Sequence, residues 1–218
     1  MALRVEGIEV TIRGATVLRD VSLVVPAAGI VALVGRNGAG KTTTLRSIMG
    51  LVRVERGRVL LGDRDLLREK PHSRAGLGIG YMPEDRRLIP QLTVHDNLMV
   101  PIWANRPPDG ESRLEGVYRR MPLVHGFRHQ AATLLSGGQQ KLVALARALT
   151  VGRRLLLLDE PFEGLAPALA DSIAEAIRDV RDEQGLSVLF VESERRLVER
   201  LADKTFTIER GEIVKASG

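Results

Sequence analysis

The residues from Gly35 to Thr42 read Gly-Arg-Asn-Gly-Ala-Gly-Lys-Thr, with Thr43 following. Glycines at this spacing let a backbone curl and turn its N–H groups on an anion. Lys41 can then reach the outer oxygens of a polyphosphate, and Thr42 offers a hydroxyl to Mg²⁺. Farther along, Leu155-Leu156-Leu157-Leu158-Asp159-Glu160 is an apolar run ending on two acids. At the carboxyl edge of a sheet, where ligands of open α/β folds collect, Asp159 suits a Mg²⁺ ion, directly or through water. Glu160 suits the positioning and polarising of an attacking water. A second glycine stretch, Leu135-Ser136-Gly137-Gly138-Gln139, opens a helical pattern. The free N–H groups and dipole at such a start also favour an anion. One nucleotide needs one cradle, so the second stretch requires its own explanation.

The elements that must hold these groups are legible in outline. Residues 3–12 and 17–25 read as two strands of an antiparallel layer. Ile30-Val31-Ala32-Leu33-Val34 is a buried strand running straight into the glycine loop, and Lys41 to Met49 continues as helix, stopped by Gly50. Arg58 to Leu61 and Ile79 to Met82 are further strands. From Glu84 to about Leu134, prolines at 90, 101, 107, 108 and 122 punctuate helical segments such as Val94 to Trp103, and Pro107-Pro108-Asp109-Gly110 reads as an exposed turn. After Gln139 the spacing of Leu142, Leu145, Ala146 and Leu149 is helical. Arg154 to Leu158 is a continuous apolar strand of a sheet covered on both faces. A helix from Pro167 turns Leu169, Ile173, Ile177 and Val180 inward and Asp171, Glu175, Arg178 and Asp182 outward. Ser187 to Val191, Thr205 to Ile208 and Glu212 to Val214 close the sheet. The expected class is α/β: a phosphate-loop core with a mixed sheet, an N-terminal antiparallel β layer and an inserted helical subdomain.

Bulk properties narrow the functions open to this chain. Its 218 residues allow one sizeable α/β domain with a modest insertion. It has no cysteine, which excludes disulfides and thiolate metal sites. Its apolar runs are too short to span a bilayer, and Met1 to Val10 alternates polar with apolar residues rather than building a leader's apolar block. The expected home is therefore the cytosol. A net charge of +5, spread along the chain, with seven aromatic residues, is no nucleic-acid signature, so no nucleic-acid partner is expected.

A phosphate loop, then Leu-Ser-Gly-Gly-Gln, then a hydrophobic strand ending Asp-Glu resembles the nucleotide-binding subunit of ABC transporters over essentially the whole chain. Met82-Pro83-Glu84-Asp85-Arg86-Arg87 with Leu92-Thr93-Val94, and Glu160-Pro161-Phe162-Glu163-Gly164-Leu165-Ala166-Pro167, are similar to ATPases of branched-chain amino-acid importers. The resemblance implies one ABC ATPase domain over 1–218, with 1–84 and 136–218 as nucleotide-binding core and 85–135 as helical subdomain. It implies ATP and Mg²⁺ as cofactors, with Gly35, Arg36, Asn37, Gly38, Ala39, Gly40, Lys41, Thr42 and Thr43 on the nucleotide. Thr42, Asp159 and Glu84 would serve the metal, and Glu160 the water. Ser136, Gly137, Gly138 and Gln139 would meet the γ-phosphate of ATP held by a second subunit, homologous or identical. The same resemblance implies transmembrane permease subunits, an indirect link to a substrate-binding protein, and a place on the inner face of the membrane.

Three positions depart from that family's pattern. No aromatic precedes Tyr81, so Ile12 or Arg13 stands where a ring normally stacks on adenine. Glu84 stands where a glutamine is usual in the superfamily, a substitution shared with the importer branch it resembles. Ser193, in Val191-Glu192-Ser193, stands where a histidine normally grips the γ-phosphate, and all four histidines precede Asp159. Serine donates a hydrogen bond but carries no charge, so this chain's own site is expected to hydrolyse slowly beside an intact partner. The alternatives are a weakly hydrolysing regulatory subunit, or a transporter of urea, amides or lipid. His125 and His129 read as a solvated pair rather than metal ligands. Trp103, with Met99, Val100 and Ile102, reads as subdomain core or as a contact for a membrane subunit. Arg195-Arg196 reads as a solvated helix face.

Overall fold

The structure is a computed structural model describing residues 2–193 and 195–217, with the backbone alone for 195–197. Two sheets form. The smaller is antiparallel, ordered β2-β1-β4-β5, from β1 (Leu3–Ile12), β2 (Ala15–Val25), β4 (Arg56–Leu61) and β5 (Arg64–Asp65). The larger is six-stranded, ordered β10-β9-β3-β8-β7-β6. It comprises β3 (Ile30–Val34), β6 (Ile79–Met82), β7 (Leu155–Asp159), β8 (Ser187–Glu192), β9 (Lys204–Glu209) and β10 (Glu212–Ser217). β6, β7, β8, β3 and β9 run parallel, and β10 returns antiparallel on β9.

The central strands are apolar without interruption because both of their faces are covered, and strand alternation divides each between two cores. Ile30, Ala32 and Val34 of β3, Leu156 and Leu158 of β7, and Val188 and Phe190 of β8 face one core. That core also contains residues of α3 (Val94–Asn105), α4 (Gly110–Arg120), α6 (Gly137–Val151) and α7 (Pro167–Gln184). Val31 and Leu33, Leu155 and Leu157, and Leu189 and Val191 face the other, shared with the antiparallel sheet and with α1 (Lys41–Ile48). Residues from α3 and α4 and from α5 (Pro122–Gly126) therefore pack in one continuous core with the parallel sheet. Two shorter helices, α2 (Ser73–Gly76) and α8 (Arg195–Leu201), complete the chain.

Several boundaries differ from the sequence expectation. β2 and β4 each begin two residues earlier than expected, at Ala15 and Arg56, and β10 extends to Ser217. Cross-strand pairing extends these ends beyond what their polar residues suggest. α3 contains Pro101, as the expected segment did, but runs two residues past Trp103 to Asn105, whose side-chain amide donates to the Pro101 carbonyl at 2.8 Å. The turn at 107–110 is exposed at Pro108 and Asp109, but Gly110 is buried and starts α4. α7 turns Ile173, Ile177 and Val180 inward as expected, while Leu169 is only half-buried. Trp103 is half exposed, with Ile102 taking the core position. The Arg195 and Arg196 side chains lie outside the described residues.

Candidate functional site

β3 delivers the chain into the loop at 35–40, and α1 begins at Lys41. Gly40 caps this helix at φ 114, where a Cβ would stand 2.7 Å from Leu18 Cδ2. Only glycine makes that bend without strain. Lys41 is 4% exposed. Its Nζ donates to the Gly35 carbonyl at 2.9 Å and to Ser193 Oγ at 2.8 Å, and it lies 3.1 Å from Glu160 Oε1. The Ser193 hydroxyl stands 2.9 Å from Glu160 Oε1 and 2.8 Å from Asn37 Oδ1, and its one proton goes to one of them at a time. Glu160 sits in the left-handed region at φ 49, held there by its backbone N–H on the Val191 carbonyl at 3.0 Å. A non-glycine residue in that conformation costs on the order of 1 kcal/mol or more, and such strain concentrates at functional sites.

Adjacent to this cluster, the Thr42 hydroxyl donates to Asp159 Oδ1 at 2.9 Å. Asp159 is fully buried, and its Oδ2 has no partner among the described residues. Burial pushes its pKa up to about 6, with Glu84 and Glu160 adding to the rise and the Thr42 hydrogen bond and Arg46 opposing it. A buried carboxylate oxygen without a donor, beside a hydroxyl, is a donor set suited to a hard cation such as Mg²⁺. Glu84 lines the same cleft as Gly38, Gly40, Lys41, Thr42, Thr43, Glu160 and Val17. Among the described residues no aromatic ring lines it, and both Ile12 and Arg13 are exposed at the β1–β2 tip. The structure thus brings together the loop, Thr42, Glu84, Asp159, Glu160 and Ser193.

It does not bring Ser136, Gly137 and Gly138 into that cleft. Ser136 caps α6 in a reciprocal box with Gln139: Ser136 N–H donates to Gln139 Oε1 at 2.9 Å, and Gln139 N–H to Ser136 Oγ at 3.3 Å. Ser136 and Gly137 are exposed. Gly137 and Gly138 line a neighbouring cleft with Arg46, Arg86 and Lys141, to which Glu84 and Glu163 are common. A Cβ on Gly138 would stand 2.9 Å from Leu169 Cδ2, so the second glycine admits close packing by α7.

Two functional neighbours escape sequence reasoning. Lys141 is 7% exposed and donates to the Glu160 carbonyl at 2.9 Å, and burial draws its pKa down. Its signal was an ammonium four residues before Leu145, on the apolar side of α6. Glu192 accepts the Phe162 N–H at 2.9 Å, and burial pushes its pKa up to about 7. An acid ending an apolar strand, as Asp159 does, was the available clue. Arg147 donates at 2.7 Å to the carbonyls of both Arg86 and Arg87, holding the loop beyond Glu84. His125 and His129 are exposed, and no group of three or more candidate metal-binding His, Asp or Glu occurs among the described residues.

The ABC transporter family profile matches residues 18–163. The chain belongs to that family. It is an ABC-type ATPase, coupling ATP hydrolysis to transport, and its α/β architecture with an antiparallel layer and helical subdomain is the family's fold. The lipopolysaccharide export system ATP-binding protein LptB of Acidithiobacillus ferridurans is 35% identical over 206 residues, covering 94% of this chain and 85% of that protein. The high-affinity branched-chain amino acid transport ATP-binding protein BraG of Pseudomonas aeruginosa is 35% identical over 197 residues, covering 90% and 84%. Among solved structures, an ATP-binding subunit of an ABC transporter superposes with a TM-score of 0.87 at 26% identity, covering all of this chain and 90% of the other. The ADP conformation of MJ1267, an ATP-binding cassette of an ABC transporter, gives 0.84 at 25%, covering 99% and 90%. Export and import relatives stand at comparable identity. No helix among the described residues is long and apolar enough to cross a membrane.

Proposed function

We propose that this chain is the ATP-binding subunit of a branched-chain or related amino-acid importer, working at the inner face of the membrane. In this reading 1–84 and 136–218 form the nucleotide-binding core, and 85–135 the helical subdomain. Residues 35–43 hold the nucleotide. Lys41 neutralises its outer phosphates, while Thr42 and Asp159, with Glu84 nearby, hold Mg²⁺. The bound ion supplies charge neutralisation of the phosphates. Glu160 orients and polarises the attacking water, and Ser193 donates to the terminal phosphate. The cluster of Lys41, Glu160 and Ser193 beside Thr42 and an Asp159 oxygen with no donor among the described residues supports the ATPase part, and the 35% identity to BraG supports the amino-acid part.

The exposed tip of α6, outside its own chain's phosphate cleft, supports pairing with a second cassette whose nucleotide it completes. Pairing and separation of the two chains then drive separate permease subunits. Lys41→Ala is expected to abolish nucleotide binding. Glu160→Gln is expected to retain it while turnover falls by about 10²–10⁴; unchanged phosphate release in that variant would refute the role of Glu160. Lipopolysaccharide export is a second reading, favoured by the LptB relatives. Reconstitution with its membrane subunits separates them: ATP hydrolysis stimulated by a loaded amino-acid-binding protein supports import, and stimulation by lipopolysaccharide supports export.

A further inference from the structure

Another cavity, of about 270 Å³, shares no lining residue with the phosphate cleft. It lies between α4, the C-terminal end of α6, the turn before β7 and the last turns of α7. Its lining includes four arginines, Arg113, Arg119, Arg120 and Arg153, the Ser112 hydroxyl, and one carboxylate, Asp109.

Arg113 is bound to Asp109 at 2.6 Å and to the Thr150 carbonyl at 3.4 Å. Arg120 is bound to Glu183 and to the Gly116 carbonyl at 3.0 Å. The Nε of each is nevertheless buried without an acceptor. Arg119 and Arg153 are exposed, and no carboxylate lies within ion-pair distance of either among the described residues. Satisfying the last carbonyls of α6 accounts for one guanidinium, not four. Gly116, buried in the middle of α4, also lines this cavity, and a Cβ there would stand 3.1 Å from Arg120 Nη1. Glycine weakens a helix interior, and here it leaves room beneath the guanidinium groups.

We propose that this cavity binds a small phosphate-class oxyanion. Clustered, like-charged guanidinium groups repel, and an anion with several acceptor oxygens, bound by their exposed ends, offsets that repulsion. The bound anion would link α4 to the entry of β7 and the end of α7, tying the helical segment to the parallel sheet.

The test is calorimetric titration of the full chain with inorganic phosphate against chloride at matched ionic strength, in a Lys41→Ala background that disables the phosphate loop. Saturable phosphate binding is expected. The exposed pair Arg119→Gln/Arg153→Gln should weaken it about tenfold or more, each charge-assisted bond being strong enough for that loss. A double variant of equal charge loss elsewhere, Arg56→Gln/Arg68→Gln, should not weaken it. Phosphatidylglycerol vesicles present the same oxygens on a lipid surface, so arginine-dependent binding to the vesicles rather than to free phosphate would name a headgroup as the source. Phosphate heats equal to chloride together with no vesicle binding, or binding unchanged in Arg119→Gln/Arg153→Gln, would overturn the proposal.

Discussion

Glu192 ends β8 at 3% exposure, with its Oε1 on the Phe162 amide. Burial raises its pKa from 4.5 to about 7; Glu160 adds to the rise, while the Phe162 amide and Lys141 oppose it. The folded chain therefore keeps a proton that the unfolded chain has released. The resulting stability is fully present below pH 4.5 and is lost as pH rises through about 7. At about 1.4 kcal/mol per pH unit, the loss is on the order of 3 kcal/mol. Glu192→Gln keeps an acceptor for Phe162 and removes the titration. Urea unfolding of the nucleotide-free chain should give nearly matching curves for parent and variant at about pH 4. At about pH 8 the variant midpoint should lie about 1 M higher, taking a slope of about 3 kcal/mol per molar urea. Asp159 also carries a raised pKa, but it is present in both proteins and cancels in the difference. A stability gap of equal size at both pH values would refute the reasoning.

Other outcomes follow from the same geometry. Ser193→His restores a side chain able to carry charge against the terminal phosphate, and phosphate release should rise about tenfold or more; an unchanged rate would show that the serine is not limiting. With no ring lining the nucleotide cleft, ATP and GTP should compete within about tenfold of each other, since base stacking worth about 1–3 kcal/mol is missing. Gly40→Ala forces a side chain onto Leu18 at φ 114, and thermal unfolding should register a loss of about 1–3 kcal/mol.

The loop, the strand before it and the acids at 159 and 160 were legible because each is a local pattern: a short apolar run, a turn and a change of polarity. Pairings across the sheet were not. Thr42 and Asp159 meet only because β7 lies two strands from β3, with β8 between them. Lys141 lies on the sequence's apolar stripe, but its partners, the Glu160 and Glu163 carbonyls, are visible only once α6 is docked. The positive φ of Glu160 has no glycine to announce it. The segment at Val94 was legible with Pro101 inside it, and only its last turn, to Asn105, was not.

The 3.1 Å contact between Lys41 and Glu160 gives the ammonium proposed to meet phosphate an anion within its own chain. Nucleotide entry is then an exchange of partners, and measured affinity reports the difference between two attractions. In the proposed function, phosphate taking Lys41 would also release the Glu160 carboxylate, so one event would both seat the nucleotide and free the group proposed to polarise water. On that reading, neutralising Glu160 should tighten nucleotide binding as it slows chemistry.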